Sequence, residues 1–146
     1  MITHRILKTS EECLATFTLL QQLDPELSAE KFRESIEARN DGGPFFAGTF
    51  MDSRLVGAAV FYQMVSISGQ KILWIFDMVT DAAIRGQGIG SGLLAFIEEH
   101  AKAIGCEHVR VHSLLWRKDA HRFYTAKNKF EEWAVIFAKC VEENRK

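Results

Sequence analysis

A hydrophobic strand that runs into an arginine and three alternating glycines, with an amphipathic helix directly behind, constrains this chain more than any other feature. The stretch reads Phe76-Asp77-Met78-Val79-Thr80-Asp81-Ala82-Ala83-Ile84-Arg85-Gly86-Gln87-Gly88-Ile89-Gly90. Glycine lets the backbone approach a ligand closely, and the first N–H groups of a helix have no partner within it. With the guanidinium of Arg85, the residues Arg85, Gly86, Gln87, Gly88, Ile89, Gly90 and Ser91 form a candidate anion cradle, suited to the phosphates of a cofactor. Spacing excludes two common phosphate loops. A dinucleotide fingerprint, G-x-G-x-x-G, would need glycine at Ser91 or Leu93, and a P-loop would need lysine after its last glycine, where Ser91 follows Gly90. What remains is Arg-x-x-Gly-x-Gly, at Arg85, Gly88 and Gly90. The competing reading is a glycine-rich turn that only caps a helix.

Around this feature the chain reads as alternating elements. His4 to Leu7 fits a short strand. Ser10 to Gln22 carries a helical stripe of Cys13, Leu14, Phe17 and Leu20, with Ser10 as N-cap, and Asp24-Pro25 ends it. Ser28 caps a second helix with Phe32 and Ile36 on one face, and the run from Asn40 to Pro44 is a loop. Three strands follow, Phe45 to Met51, Arg54 to Ile67 and Lys71 to Thr80, joined by short turns that imply antiparallel pairing. A long helix over Gly88 to Ile104 presents Ile89, Leu93, Leu94, Ile97, Ala101 and Ile104 on one face. The alternating strand His108 to Ser113 comes next, and strand–helix–strand implies a right-handed crossover to a parallel neighbour. A helix over Lys118 to Lys127 and a closing strand over Phe130 to Lys139 complete an α/β sheet with helices on both faces.

Composition narrows the class. At 146 residues the chain suits a single domain, 1–146, and its 47% hydrophobic and 25% charged residues are those of an ordinary globular protein. A net charge of -1 gives no reason to invoke nucleic acid, and no apolar run is long enough for a bilayer. The N-terminus lacks a signal-peptide pattern, so a cytoplasmic location is expected. Cys13, Cys106 and Cys140 are odd in number with no C-x-x-C, which points to reduced thiols. The histidines show no metal-binding spacing, so no metal is expected.

A second segment, Arg117-Lys118-Asp119-Ala120-His121-Arg122-Phe123-Tyr124 followed by a turn and Phe130, resembles the Asn-x-x-Ala-x-x-Phe-Tyr helix of the GNAT superfamily of acetyl-CoA-dependent N-acetyltransferases. The Arg-x-x-Gly-x-Gly loop resembles the pyrophosphate signature of the same superfamily. Asp77 to Asp81, the Ala-His-Arg-Phe-Tyr run and Phe137-Ala138-Lys139 resemble small bacterial members. The resemblance covers the second half well and the first half loosely. It implies the GNAT fold, a mixed and mostly antiparallel sheet of about six to seven strands with about four helices on both faces.

The resemblance also implies roles. Acetyl-CoA would be the cosubstrate, with Arg85 to Ser91 on its pyrophosphate. Met78, Val79 and Thr80 would offer backbone groups to the pantetheine arm, in a gap between the third of the three strands and the one after the long helix; the other reading is ordinary pairing in the sheet. Tyr124 would be the general acid on the leaving sulfur, against the reading of a core aromatic beside Phe123. Asp77, a carboxylate in an apolar strand, would contact or deprotonate the amine, and a salt bridge or a solvated strand end are its other readings. Arg117 stands where the family often has Asn; it either reaches the cofactor's phosphates or pantetheine or is a solvated surface charge. Asn128-Lys129 before Phe130 suggests one inserted residue, with Asn128 suited to αL angles. The implied reaction is acetyl transfer to a primary amine by direct attack in a ternary complex. A non-catalytic acyl-CoA sensor shares every cradle residue and stays open beside it. The acceptor, a small-molecule or peptide amine, would lie against Leu20 to Arg33 and the strand ends near Phe45 and Phe46. Dimerisation is common in the family, and no sequence feature here fixes it.

Overall fold

The computed structural model describes residues 1–142. It divides into two compact units, Met1–Val111 and the chain from His112 onward, each described by itself.

The first unit holds a five-stranded sheet in the order β1-β2-β3-β4-β5, formed by β1 (Ile2–Leu7), β2 (Phe45–Met51), β3 (Arg54–Val65), β4 (Lys71–Thr80) and β5 (His108–Val111). The first four pair antiparallel, and β5 lies parallel to β4. The β2–β3 turn places Asp52 and Ser53 at φ 49 and 73, the two positive angles that a two-residue hairpin with right-handed strand twist requires.

The helices α1 (Ser10–Leu14), α2 (Phe17–Leu23) and α3 (Ala29–Glu37) cover one face of this sheet. Leu20, Phe32 and Ile36 pack there with Phe46, Ala58, Val60 and Val79. The opposite face takes α4 (Ile89–Ala103), whose Ile89, Leu93, Leu94, Ile97 and Ala101 are buried. Strand periodicity explains the division: Val60 belongs to the first core, and its neighbour Phe61 meets the His100 ring of α4 at 5.9 Å.

Two local details differ from the sequence reading. Thr9, not Ser10, caps α1, because Glu12 three residues on closes a reciprocal capping box with it, while the Ser10 hydroxyl accepts from Arg39. The expected helix from Ser10 to Gln22 is also broken. Both the backbone N–H and the hydroxyl of Thr16 turn back to the Cys13 carbonyl, at 3.1 and 2.7 Å, and interrupt the i to i−4 ladder.

In the second unit α5 (Lys118–Arg122) runs into a π turn, Phe123–Lys127. Lys129 (φ 64), rather than Asn128, takes the αL angle, and the Asn128 side-chain amide instead donates to the Phe123 carbonyl at 2.8 Å. The strand expected over Phe130 to Lys139 does not form, so the sheet has five strands rather than six or seven. An apolar run supplies no ladder partner by itself, and Trp133, Val135, Ile136 and Phe137 stand exposed.

Ile97 is fully buried in the α4 core. Ile97→Ala should cost about 2–5 kcal/mol, read as a lowered urea midpoint with an unchanged slope.

Candidate active site

The site is organised by β4. Its register with β3 pairs Phe61 with Ile75 and Val60 with Asp77, so Phe76 is one residue too many. This β-bulge inverts the alternation of side chains beyond it. Phe76 and Asp77 therefore both project to the face of α1–α3: the Phe76 ring meets Tyr62 at 4.7 Å, and Asp77 lines a groove on that face. The bulge also falls where β4 leaves β5. The parallel ladder runs from Ile72↔His108 to Ile75↔Val111 and stops. Met78, Val79 and Thr80 keep β3 as neighbour, through Ala59, Ala58 and Gly57, and have no ladder on the β5 side among the described residues.

The groove beside Asp77 has a volume of about 260 Å³. Leu20, Leu27, Phe32, Phe46 and Val60 form its apolar surface, and Asp24, Lys31, Ser35, Tyr62 and Asp77 supply polar groups. Residues of the Leu20 to Arg33 region and Phe46, against which the acceptor is expected from sequence, line this groove. Phe45 is not among the lining residues; it stacks on Phe61 at 5.6 Å. Tyr62, Val60 and Ser35 were not singled out from sequence. The period of two places Tyr62 on the face of Val60, but only the bulge brings Asp77 to it. Burial, and secondarily the charge of Asp77, push the Tyr62 phenol pKa up. Tyr62 therefore remains protonated at neutral pH and adds no charge to the groove.

Three residues beyond Asp77 the strand ends, and the chain enters the glycine loop. A 3-10 turn, Ala82–Ile84, is capped by Asp81, whose carboxylate accepts from the Ala83 N–H at 3.1 Å. Arg85 is exposed, and its Nε donates to the Thr80 carbonyl at 3.3 Å. Gly86 and Gly88 have φ of 86 and 78, and a Cβ on either would meet no atom within 4 Å. Gly88 is the N-cap of α4 and offers no side-chain cap, whereas Thr9 and Ser28 close α1 and α3 with their hydroxyls. The Ser91 hydroxyl, in the first turn of α4, is buried with no hydrogen-bond partner among the described residues. An uncapped helix start, open space over two glycines, a nearby guanidinium and an unsatisfied hydroxyl together suit a phosphate group.

Tyr124 and Arg117 belong to the second unit. Tyr124 is half-buried in the π turn, with its ring at 5.2 Å from Phe123 and 5.9 Å from Phe130. Arg117 is the N-cap of α5 and is exposed. Cys13, Cys106 and Cys140 are unpaired. Among the described residues no cluster of His, Cys, Asp or Glu could hold a metal, and no helix is long and apolar enough to cross a membrane.

Residues 9–130 match the acetyltransferase (GNAT) family. The sequence is 32% identical to YhdJ, an uncharacterized N-acetyltransferase of Bacillus subtilis (strain 168), over 97% of this chain and 100% of that one. It is also 32% identical to the aminoalkylphosphonate N-acetyltransferase of Salmonella typhimurium (strain LT2), over 80% of this chain and 77% of the relative. A ribosomal-protein-alanine N-acetyltransferase from Brucella melitensis biovar Abortus 2308 shares the fold, with a TM-score of 0.79 at 14% identity, covering 96% of this chain and 99% of that one. The chain belongs to the GNAT acetyltransferase family and is an acyltransferase. That family uses acetyl-CoA, and the open start of α4 fits its phosphates.

Gly88→Ala and Gly88→Asp share the backbone strain of an αL position, and only the second adds a negative charge. Calorimetric titration with coenzyme A should find Gly88→Asp at least about tenfold weaker than Gly88→Ala. Equal affinities would remove the loop from the phosphate site.

Proposed function

We propose that the protein transfers the acetyl group of acetyl-CoA to a primary amine by direct attack in a ternary complex. One observation carries this reading: the end of β4 delivers Asp77 into the groove and, a few residues later, runs into the anion cradle. An amine site and a phosphate site are thus fixed to the same short segment. We also propose that residues 1–146 act as one acetyltransferase domain, because the family match over 9–130 takes in most of the first unit and extends into the second.

Arg85 to Ser91 hold the pyrophosphate in this reading. Met78, Val79 and Thr80 present backbone groups to the pantetheine arm on the side where β5 has ended, in the manner of an added strand. Arg117 is a further candidate for the cofactor's phosphates. Acetyl-CoA supplies the acetyl group as an activated thioester. A backbone N–H near Val79 polarises the thioester carbonyl. Asp77 attracts the ammonium form of the acceptor and takes its proton, which frees the nitrogen lone pair for attack. The new C–N bond forms as the C–S bond breaks, the Tyr124 phenol supplies a proton to the departing sulfur, and the second proton shed by the new amide nitrogen, passed through solvent, restores the phenol. A phenol with a pKa of about 10 is closer to a thiol than any carboxylate is. The groove volume of about 260 Å³ suits a small amine, and the aminoalkylphosphonate relative supports a small-molecule acceptor. Three unpaired cysteines suit a reducing cytoplasm.

Thiol release from acetyl-CoA, measured over a panel of small amines that includes 2-aminoethylphosphonate, tests the reading. Tyr124→Phe should lower kcat by about tenfold to hundredfold and leave coenzyme A affinity nearly intact. Asp77→Asn should lower kcat/KM for the amine by about tenfold or more. Unchanged turnover in either variant removes that residue from the chemistry.

A further inference from the structure

Gln22 joins the two parts of the site without belonging to either. It lies in the last turn of α2, between Leu20 and Asp24, which both line the groove. Its side chain reaches the segment that leaves β4. Oε1 accepts from the Ala82 N–H at 2.8 Å, and Nε2 donates to Asp81 Oδ1 at 3.4 Å. The partners fix the amide orientation, since a backbone N–H can only donate and a carboxylate only accepts. The same Asp81 oxygen caps the 3-10 turn through Ala83, and the Asp81 N–H donates to the Val56 carbonyl at 2.8 Å. This turn leads directly into Arg85. Gln22 is itself exposed, so these bonds, and not core packing, are what its side chain contributes.

The guanidinium of the cradle is engaged on the same segment. Arg85 Nε donates to the Thr80 carbonyl, next to Asp81, and the Asp81 carboxylate feels the charges of Arg54 and Arg85. A pyrophosphate at the start of α4 offers Arg85 stronger, charge-assisted bonds than one neutral carbonyl does. Drawing Arg85 to it takes a positive charge away from Asp81. The remaining donors to that carboxylate, the Ala83 N–H and Gln22 Nε2, then answer more of its charge, which tightens the Gln22 clamp. A ligand shifts a conformational equilibrium only through contacts that differ between the two states, and the Arg85 contact is one that differs.

We propose that Gln22 couples occupation of the anion cradle to the position of α2, and so to one wall of the acceptor groove. The inference rests on the reading of Arg85 to Ser91 as the coenzyme A cradle. Gln22 acts here as a positioning residue.

Hydrogen–deuterium exchange of the full chain, with and without coenzyme A, tests this. In the unaltered protein coenzyme A should slow exchange both at 85–92 and across α2 at 17–24. Gln22→Met keeps the side-chain length and removes both hydrogen bonds. It should retain the slowing at 85–92 and reduce the slowing across α2 by about threefold or more. Equal slowing of α2 in the two proteins overturns the coupling, as does an α2 that never responds while the cradle does. If neither segment responds to coenzyme A, the cofactor reading itself falls, and the coupling with it. In steady state Gln22→Met should raise KM for the amine about two- to tenfold and leave kcat within about twofold, a split that general loss of structure would not give.

Discussion

The hydrogen-bond ladder of β4 is unequal on its two sides, and the site depends on that inequality. β3 pairs with β4 from Lys71 to Thr80, while β5 pairs with it only from Ile72 to Ile75. A strand held on one edge alone has backbone groups that need other partners. It stays extended because β3 continues to hold it. The bulge at Phe76 lies at the point of departure and does two things at once. It strengthens the local twist, which helps the strands diverge, and it reverses the facing of the side chains beyond it. Without the extra residue Asp77 would share the α4 face of Ile89 and Phe61, where a carboxylate would have to be buried among apolar groups.

The helices show the same separation of structural and functional ends. Thr9 with Glu12 closes α1, and Ser28 closes α3, so the donors there are used locally. The Arg5–Glu12 ion pair and the N–H groups of Thr9 and Lys8 hold the Glu12 carboxyl pKa down to about 2. α4 begins on a left-handed glycine that carries no acceptor. It is secured instead by its flank, where Leu93, Leu94 and Ile97 are completely buried. A helix anchored by packing can leave its N-terminal donors uncommitted.

Much of this was legible in the sequence, for identifiable reasons. The β2–β3–β4 meander, α4 and the glycine loop each carry a strong local signal: short turns, a long apolar stripe, and an arginine set among glycines. The details that failed depend on distant or competing partners. Thr9 and Ser10 are equally good caps by type, and Glu12 decides between them. Thr16 breaks a helix that its neighbours' apolar spacing supports. Residues 130–139 carry an apolar run that suits a buried strand, yet a ladder is a property of two segments and cannot be read from one. The facing of Asp77 was hidden for a related reason, because a bulge is a mismatch between two strands. The groove could be placed by region, and Tyr62 could not.

The charges of the first unit follow the same logic on a larger scale. The net charge of the chain is only -1, so the chain as a whole carries no strong excess of either sign. Local sign does the sorting. The groove, proposed above as the amine site, is lined by Asp77 and Asp24 as well as Lys31, with Tyr62 kept neutral, a balance that suits an ammonium group. The cradle holds Arg85 and the positive end of α4, and so favours an anion. Asp81 lies between them, its pKa lowered by the Ala83 N–H, then by Gln22, and by Arg54 and Arg85. A carboxylate satisfied from within the fold neither recruits a substrate ammonium nor opposes a phosphate as strongly as an unpaired one would. Its satisfaction is what allows two sites of opposite sign to share one short stretch of chain.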